Sequence, residues 1–201
     1  MTPDWKPGDI AACYGVDAVS RMISWQTLSV FAPRGLRLGP SHVAITLPID
    51  GKTWWCESTS MSPRPCVYAG RAVSGCQLHD PADRVDDYKS VGGRVVRYTL
   101  ADVWRFSGAE QRQLGDIYKR HFVAVGKGYD YGGAAISGTR LWKWLPVVPP
   151  DALESLFCSE LIAALLMRMG RMGIDNATRF NPGSLLRRLV TTGVYKRVGA
   201  A

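Results

Sequence analysis

Three side chains that could together perform acyl-transfer chemistry lie far apart in the chain: Cys158, His42 and Glu57. A thiol attacks a carbonyl as a thiolate, so it needs a base within hydrogen-bonding reach, and the base needs an acceptor that orients its second nitrogen. Cysteine, histidine and glutamate can fill these three roles. Each alone is more often a structural or surface residue. The prediction therefore depends on whether the fold brings all three together.

Cys158 stands just before a pattern that is typical of a helix. Apolar residues follow it at helical spacing, at Leu161, Ile162, Leu165, Leu166 and Met169. We therefore expect Cys158 at the first turn, where unpaired backbone N–H groups and the helix dipole favour a thiolate. Asp151 and Glu154 offer an alternative, because they could form a capping box that starts the helix earlier and leaves Cys158 inside it.

His42 and Glu57 fall on a predicted β-hairpin. Residues 41–47 favour a strand, Asp50-Gly51 a tight turn, and residues 53–58 a returning strand. Antiparallel pairing would bring His42, near the start of the first strand, and Glu57, near the end of the second, to the same end of a sheet.

The register of that hairpin decides which side chain faces the imidazole. Because side chains alternate between the two faces of a strand, a shift of one residue would replace Glu57 by Ser58 or Thr59. The residue that orients the imidazole therefore depends on the hairpin register.

The remaining patterns predict an α+β fold. Further strands are expected within residues 5–14 and 93–100, and Ser107 with Glu110 matches a capping box that opens an amphipathic helix. We expect a central antiparallel sheet of about five or six strands, mainly from the first hundred residues, with the Cys158 helix packed against it. Residues 62–92 are expected to form an irregular insertion, and residues 139–150 a loop rich in tryptophan and proline.

Length and composition are those of a single soluble domain that spans residues 1–201. Five cysteines without a CxxC pair argue against a disulfide framework or a structural metal site. The net charge of +8, with the basic excess heaviest in the last third, favours an anionic polymer or a membrane surface as a partner. No signal-peptide pattern and no long apolar run is present, which predicts a protein that is cytoplasmic or carried in a phage virion.

The order of six segments resembles that in the circularly permuted branch of NlpC-type cysteine hydrolases, which have a papain-like fold. They span nearly the whole chain: Pro7-Gly8-Asp9-Ile10, Ser41-His42-Val43-Ala44-Ile45, Cys56-Glu57-Ser58, Tyr129-Asp130, Phe157-Cys158-Ser159-Glu160-Leu161-Ile162 and Asn181-Pro182-Gly183-Ser184-Leu185. In the unpermuted family the cysteine helix precedes the histidine strand, whereas here the order is reversed. The resemblance implies the same spatial site assembled in another chain order.

The resemblance also implies roles for individual residues. Cys158 would be the nucleophile, His42 the base and later the acid, and Glu57 the residue that orients the imidazole. The Cys158 N–H would form part of the oxyanion hole, and Tyr129 would line the site and donate a second hydrogen bond to the oxyanion, although Tyr14 or Tyr131 could reach the same place. No cofactor or metal is required.

The resemblance implies hydrolysis of amide or peptide bonds through a thioester, with bacterial cell-wall peptides as the leading substrate class. Two alternatives stay open. One is a lipid-directed thiol acyltransferase or hydrolase, for which residues 142–148 could line an apolar cleft. The other is an inactive binding or structural module of the same fold that uses its basic face. Specific nucleic-acid binding is not expected.

Overall fold

The computed structural model describes residues 4–60, 62–124 and 158–201. Within these ranges the chain forms an antiparallel sheet of six strands in the order β4-β3-β2-β1-β5-β6. The strands are β1 (Ile10–Tyr14), β2 (His42–Ile49), β3 (Lys52–Thr59), β4 (Gly75–His79), β5 (Arg94–Leu100) and β6 (Tyr195–Ala200). The predicted α+β class is confirmed, as is a central antiparallel sheet drawn mainly from the first hundred residues.

Five α-helices accompany the sheet in the described part of the chain. They are α1 (Ala18–Gln26), α2 (Pro81–Ser90), α3 (Gly108–Tyr118), α4 (Cys158–Arg168) and α5 (Pro182–Thr191). The predicted capping box opens α3, since the Ser107 hydroxyl accepts from the Glu110 N–H and the Glu110 carboxylate accepts from the Ser107 N–H. A π-helical turn, Lys119–Val123, continues α3. None of the described helices is long and apolar enough to cross a bilayer.

Strand alternation gives the sheet two buried faces. Val43, Ile45 and Leu47 of β2 belong to the larger core, which includes the apolar residues of α4 and α5. Ala44, between them, belongs to a smaller core with Trp55 of β3 and residues of α2. Helix α4 packs against β2 and β3, as predicted for the helix that bears Cys158.

The β2–β3 hairpin turns at Asp50 and Gly51. Both have positive φ, 51° and 80°, the backbone that the favoured two-residue hairpin turns require. The turn fixes a register in which Ile45 pairs with Cys56 and Ile49 with Lys52. The hairpin predicted from the sequence is therefore present.

Residues 62–92 differ from the expected irregular insertion, because they contain β4 and α2. In β4 the apolar pattern is interrupted by Gln77 and His79, which are polar yet buried. The residue pattern therefore did not predict a strand here. The start of α2 carries a recognisable signal, since the Asp80 carboxylate caps the helix and Pro81 occupies its first turn. The predicted loop at residues 139–150 lies outside the described residues.

Candidate active site

His42 and Glu57 form a direct hydrogen bond at one end of the sheet. The distance from His42 Nε2 to Glu57 Oε2 is 2.8 Å. The register of the hairpin, continued along the ladder, places Ala44 opposite Glu57, so His42 and Glu57 share a face. Ser58 points to the other face, and the imidazole contact belongs to Glu57.

Cys158 is placed beside the imidazole. It is the first residue of α4 as described, and its side chain is fully buried. Burial lowers the pKa of His42, but the charge and hydrogen bonding of Cys158 and of Glu57 outweigh burial and raise this pKa to about 10. Because Nε2 already contacts Glu57, Nδ1 is the nitrogen left for the sulfur. The structure thus brings the three predicted residues together, while the alternative helix start at residues 151–154 lies outside the described residues.

Glu57 is a buried carboxylate whose main counter-charge is the Arg84 guanidinium. Arg84 Nε donates to Oε1 over 2.8 Å, and His79 Nε2 lies 3.6 Å from the same oxygen. Burial raises the pKa of Glu57, but Arg84 and then His42 lower it well below its ordinary 4.5. Glu57 is therefore ionised at neutral pH and accepts a hydrogen bond from the Nε2–H of His42.

Arg84 extends this network toward the surface through α2. Its Nη1 donates to Asp87 Oδ2 over 2.9 Å, and Arg64 Nε donates to the other oxygen of Asp87 over the same distance. Neither Arg84 nor His79 was predicted as a site residue. Both lie in the segment expected to be irregular, and only the Asp80-Pro81 helix start could have signalled that α2 places Arg84 over the sheet.

A cleft of about 280 Å³ opens beside His42. Its walls include Ser41, just before β2, and Thr59 of β3. Arg84 and Tyr88 of α2 and Val19 and Ile23 of α1 complete them. The His42 side chain is 12% exposed, whereas Glu57 and Cys158 are fully buried. Solvent and substrate would therefore meet the imidazole first.

The predicted oxyanion residues are not brought to this cleft by the described structure. Tyr14 follows Cys13, the residue that pairs with His42, so strand alternation turns the Tyr14 side chain to the opposite face. Its ring lies under Arg94, 4.1 Å from ring centroid to guanidinium carbon, and lines a separate groove. The oxyanion role of Tyr14 stays a prediction without support from this placement. Tyr129 and Tyr131 lie outside the described residues.

The other four cysteines are free thiols. None of the five cysteines is in a disulfide, and all are buried. Burial raises the pKa of the Cys13 and Cys56 thiols well above 9.0. Residues 4–60, 62–124 and 158–201 hold no group of three His, Cys, Asp or Glu side chains arranged to bind a metal ion.

Comparison with known proteins gives a fold-level match alone. No family model and no curated protein matches the chain. Among solved structures, the crystal structure of metalloprotein YiiX from Escherichia coli O157:H7, DUF1105, is similar, with a TM-score of 0.50 and 15% sequence identity. The match covers 98% of this chain and 90% of that one. The chain is thus similar in fold to YiiX over nearly its whole length.

Proposed function

We propose that this protein is a cysteine hydrolase that cleaves amide or peptide bonds through a thioester. The observation that carries the proposal is the placement of His42 between the Cys158 thiol and the buried, ionised Glu57. A nucleophile, a base and an orienting acceptor in contact, beside a cleft, are the elements that covalent acyl transfer needs.

The charges of the site favour an imidazolium paired with a thiolate. Cys158 and then Glu57 stabilise a proton on His42 and raise its pKa to about 10, so that the imidazole keeps this proton at neutral pH. An imidazolium beside a sulfur in turn stabilises the thiolate. Arg84 compensates the charge of Glu57, so the carboxylate that orients His42 is itself paired in the buried site.

The reaction then follows in two steps. The Cys158 thiolate attacks the carbonyl carbon, the bond to the leaving group breaks, and His42 gives its proton to the departing amine. Water next attacks the thioester while His42 accepts a proton from it, and the acid product leaves with Cys158 restored as the thiolate. The N–H of Cys158 is proposed to stabilise the oxyanion in both steps.

The substrate class proposed first is bacterial cell-wall peptide, to which the resemblance to NlpC-type hydrolases points. A net charge of +8 suits the anionic polymers that surround such peptides. The permuted papain-like arrangement is proposed with it, since the histidine strand β2 precedes the cysteine helix α4 in the chain.

A lipid-directed acyl hydrolase is the second candidate. A groove of about 720 Å³ lies next to the cleft and is lined by Tyr14, Met22 and Trp25, side chains that suit an acyl chain better than a peptide. The earlier candidate lining, residues 142–148, lies outside the described residues. Hydrolysis assays on muropeptides and on N-acyl lipids, run with the same preparation, distinguish the two classes.

Cysteine alkylation tests the catalytic pair directly. Iodoacetamide is applied across a pH series, and peptide mapping identifies which cysteine reacts in the wild type and in His42→Ala. We expect selective alkylation of Cys158 well below pH 8, and at least a tenfold slower reaction in the variant, because the imidazolium no longer stabilises the thiolate.

The other four cysteines serve as internal controls, since they are buried in the same protein. If Cys158 reacts no faster than Cys13, or if His42→Ala leaves its rate unchanged, no thiolate–imidazolium pair exists. The binding-module alternative then replaces the hydrolase.

A further inference from the structure

The surface formed by residues 16–38, which we call the α1 surface, is unusually apolar. Phe31 is 98% exposed, Trp25 74% and Val30 63%. Isolated exposed apolar side chains are ordinary, but contiguous ones mark interaction sites. Eight of the fifteen large apolar side chains exposed in the described part of the chain belong to this surface: Val16, Val19, Met22, Trp25, Leu28, Val30, Phe31 and Leu38.

Three arginines accompany these apolar side chains. Residues 16–38 contain Arg21, Arg34 and Arg37 and one carboxylate, Asp17, whose side chain caps α1 by accepting from the Ser20 N–H. All three are exposed, and none forms an ion pair with a carboxylate among the described residues. Arg94 adds a further positive charge where its guanidinium covers Tyr14 in the apolar groove.

We propose that the α1 surface docks on an anionic lipid bilayer. Tryptophan and phenylalanine favour the boundary between headgroups and acyl chains, and arginines beside them attract anionic headgroups. Trp25 and Phe31 insert at that boundary, while Arg21, Arg34 and Arg37 contact phosphates. A bilayer with negative charge complements both properties of the surface at once.

A second copy of the chain fits this surface less well. In a two-fold dimer the same patch meets itself, so the arginines of both copies would be brought into one interface that holds twice their number. Like charges placed together across an interface oppose association. The positive charge of the α1 surface therefore favours binding to an anionic bilayer over binding to a second copy of the chain.

Docking would place the candidate active site at the membrane surface. Helix α1 separates the two cavities, because Val19 and Ile23 line the cleft at His42 while Met22 and Trp25 line the apolar groove. Docking itself does not depend on the proposed hydrolase chemistry. Cys158→Ser should thus bind vesicles as the wild type does, which separates failure of one proposal from failure of the other.

Vesicle cosedimentation tests the docking surface. Full-length protein is mixed with vesicles of phosphatidylcholine and phosphatidylglycerol, and with vesicles of phosphatidylcholine alone. We expect binding to the anionic vesicles, and a loss in W25S/F31S on the order of 100-fold in partition coefficient. V103S/I174S is the matched control, since both residues are more exposed than Trp25 but lie elsewhere, and it should bind within about threefold of wild type.

The charge contribution is tested in the same assay. R21Q/R34Q/R37Q should lower the partition coefficient on the order of 100-fold, since each arginine near an anionic membrane favours binding. A control with the same change in net charge replaces three other exposed arginines, in R112Q/R120Q/R168Q. The proposal is overturned if the wild type fails to bind anionic vesicles or if either control loses as much as its partner. The proposal is also overturned if the wild type is a dimer in sedimentation velocity, W25S/F31S is a monomer, and the wild type does not bind vesicles.

Discussion

Replacing Arg84 by methionine should destabilise the protein by about 3 kcal/mol at pH 7, because it leaves Glu57 buried without its main counter-charge. Arg84 is 4% exposed and Glu57 has no exposed surface, so water cannot take the place of the guanidinium. Removing one partner of a buried ion pair costs about 3–5 kcal/mol. Protonation of Glu57 limits the loss, because neutralising a carboxyl whose ordinary pKa is 4.5 costs about 3.4 kcal/mol at pH 7.

The pH dependence identifies the cause of that loss. At pH 5 the same protonation costs less than about 1 kcal/mol, so the difference between wild type and R84M should shrink by about 2–3 kcal/mol. Urea denaturation at both pH values measures it. Arg64→Met is the matched control, since Arg64 is 40% exposed and its ion pairs at the surface are worth about 1 kcal/mol or less. A loss in R84M below about 1 kcal/mol, or one that is equal at pH 7 and pH 5, would refute the reasoning.

Three further predictions concern stability. The pKa of Glu57 is lower in the folded than in the unfolded protein, so the stability that its carboxylate contributes is present above about pH 4.5 and is lost on acidification. In Glu57→Gln, the free energy of unfolding measured by urea melts should therefore fall less steeply between pH 6 and pH 3, by up to about 1.4 kcal/mol per pH unit. Gly115→Ala would press a methyl group onto the Pro48 carbonyl oxygen and should lower the unfolding free energy in urea melts by about 2 kcal/mol or more, whereas Gly108→Ala on the same helix should cost nothing measurable. Tyr118→Phe removes a hydroxyl that lies 2.7 Å from the backbone carbonyl oxygen of Gln77 and 3.0 Å from that of Glu57, and should cost about 1–3 kcal/mol. A change below about 0.5 kcal/mol would show that these carbonyls find another donor.

The part of the site that the sequence predicted depends on local rules. The Asp50-Gly51 turn fixes a hairpin register, and strand alternation then places His42 and Glu57 on one face. The position of Cys158 before an apolar helical stripe is equally local. Short-range patterns of this kind predict the structure correctly here because the turn and the core contacts favour the same arrangement.

The part that was missed depends on contacts between distant elements. Arg84 reaches Glu57 from 27 residues away, and its role follows from the packing of α2 across the sheet, against β3 and β5, rather than from any sequence pattern around Arg84. The face of the sheet on which Tyr14 lies could not be predicted for a related reason, because its distance in sequence from the site is compatible with either face of β1. The register with His42 had to be known before alternation could exclude it from the cleft.

The order of strands in the sheet has a consequence for how fast the protein folds. Strand β6 pairs with β5 across about a hundred residues, the Tyr195 hydroxyl donates to the Gly8 carbonyl oxygen, and α4 packs on β2. Contacts so distant along the chain slow the search for the native state to milliseconds or longer. During synthesis, His42 and Glu57 would leave the ribosome long before Cys158, so the growing chain has no complete site and leaves one face of its hairpin uncovered for chaperones to bind.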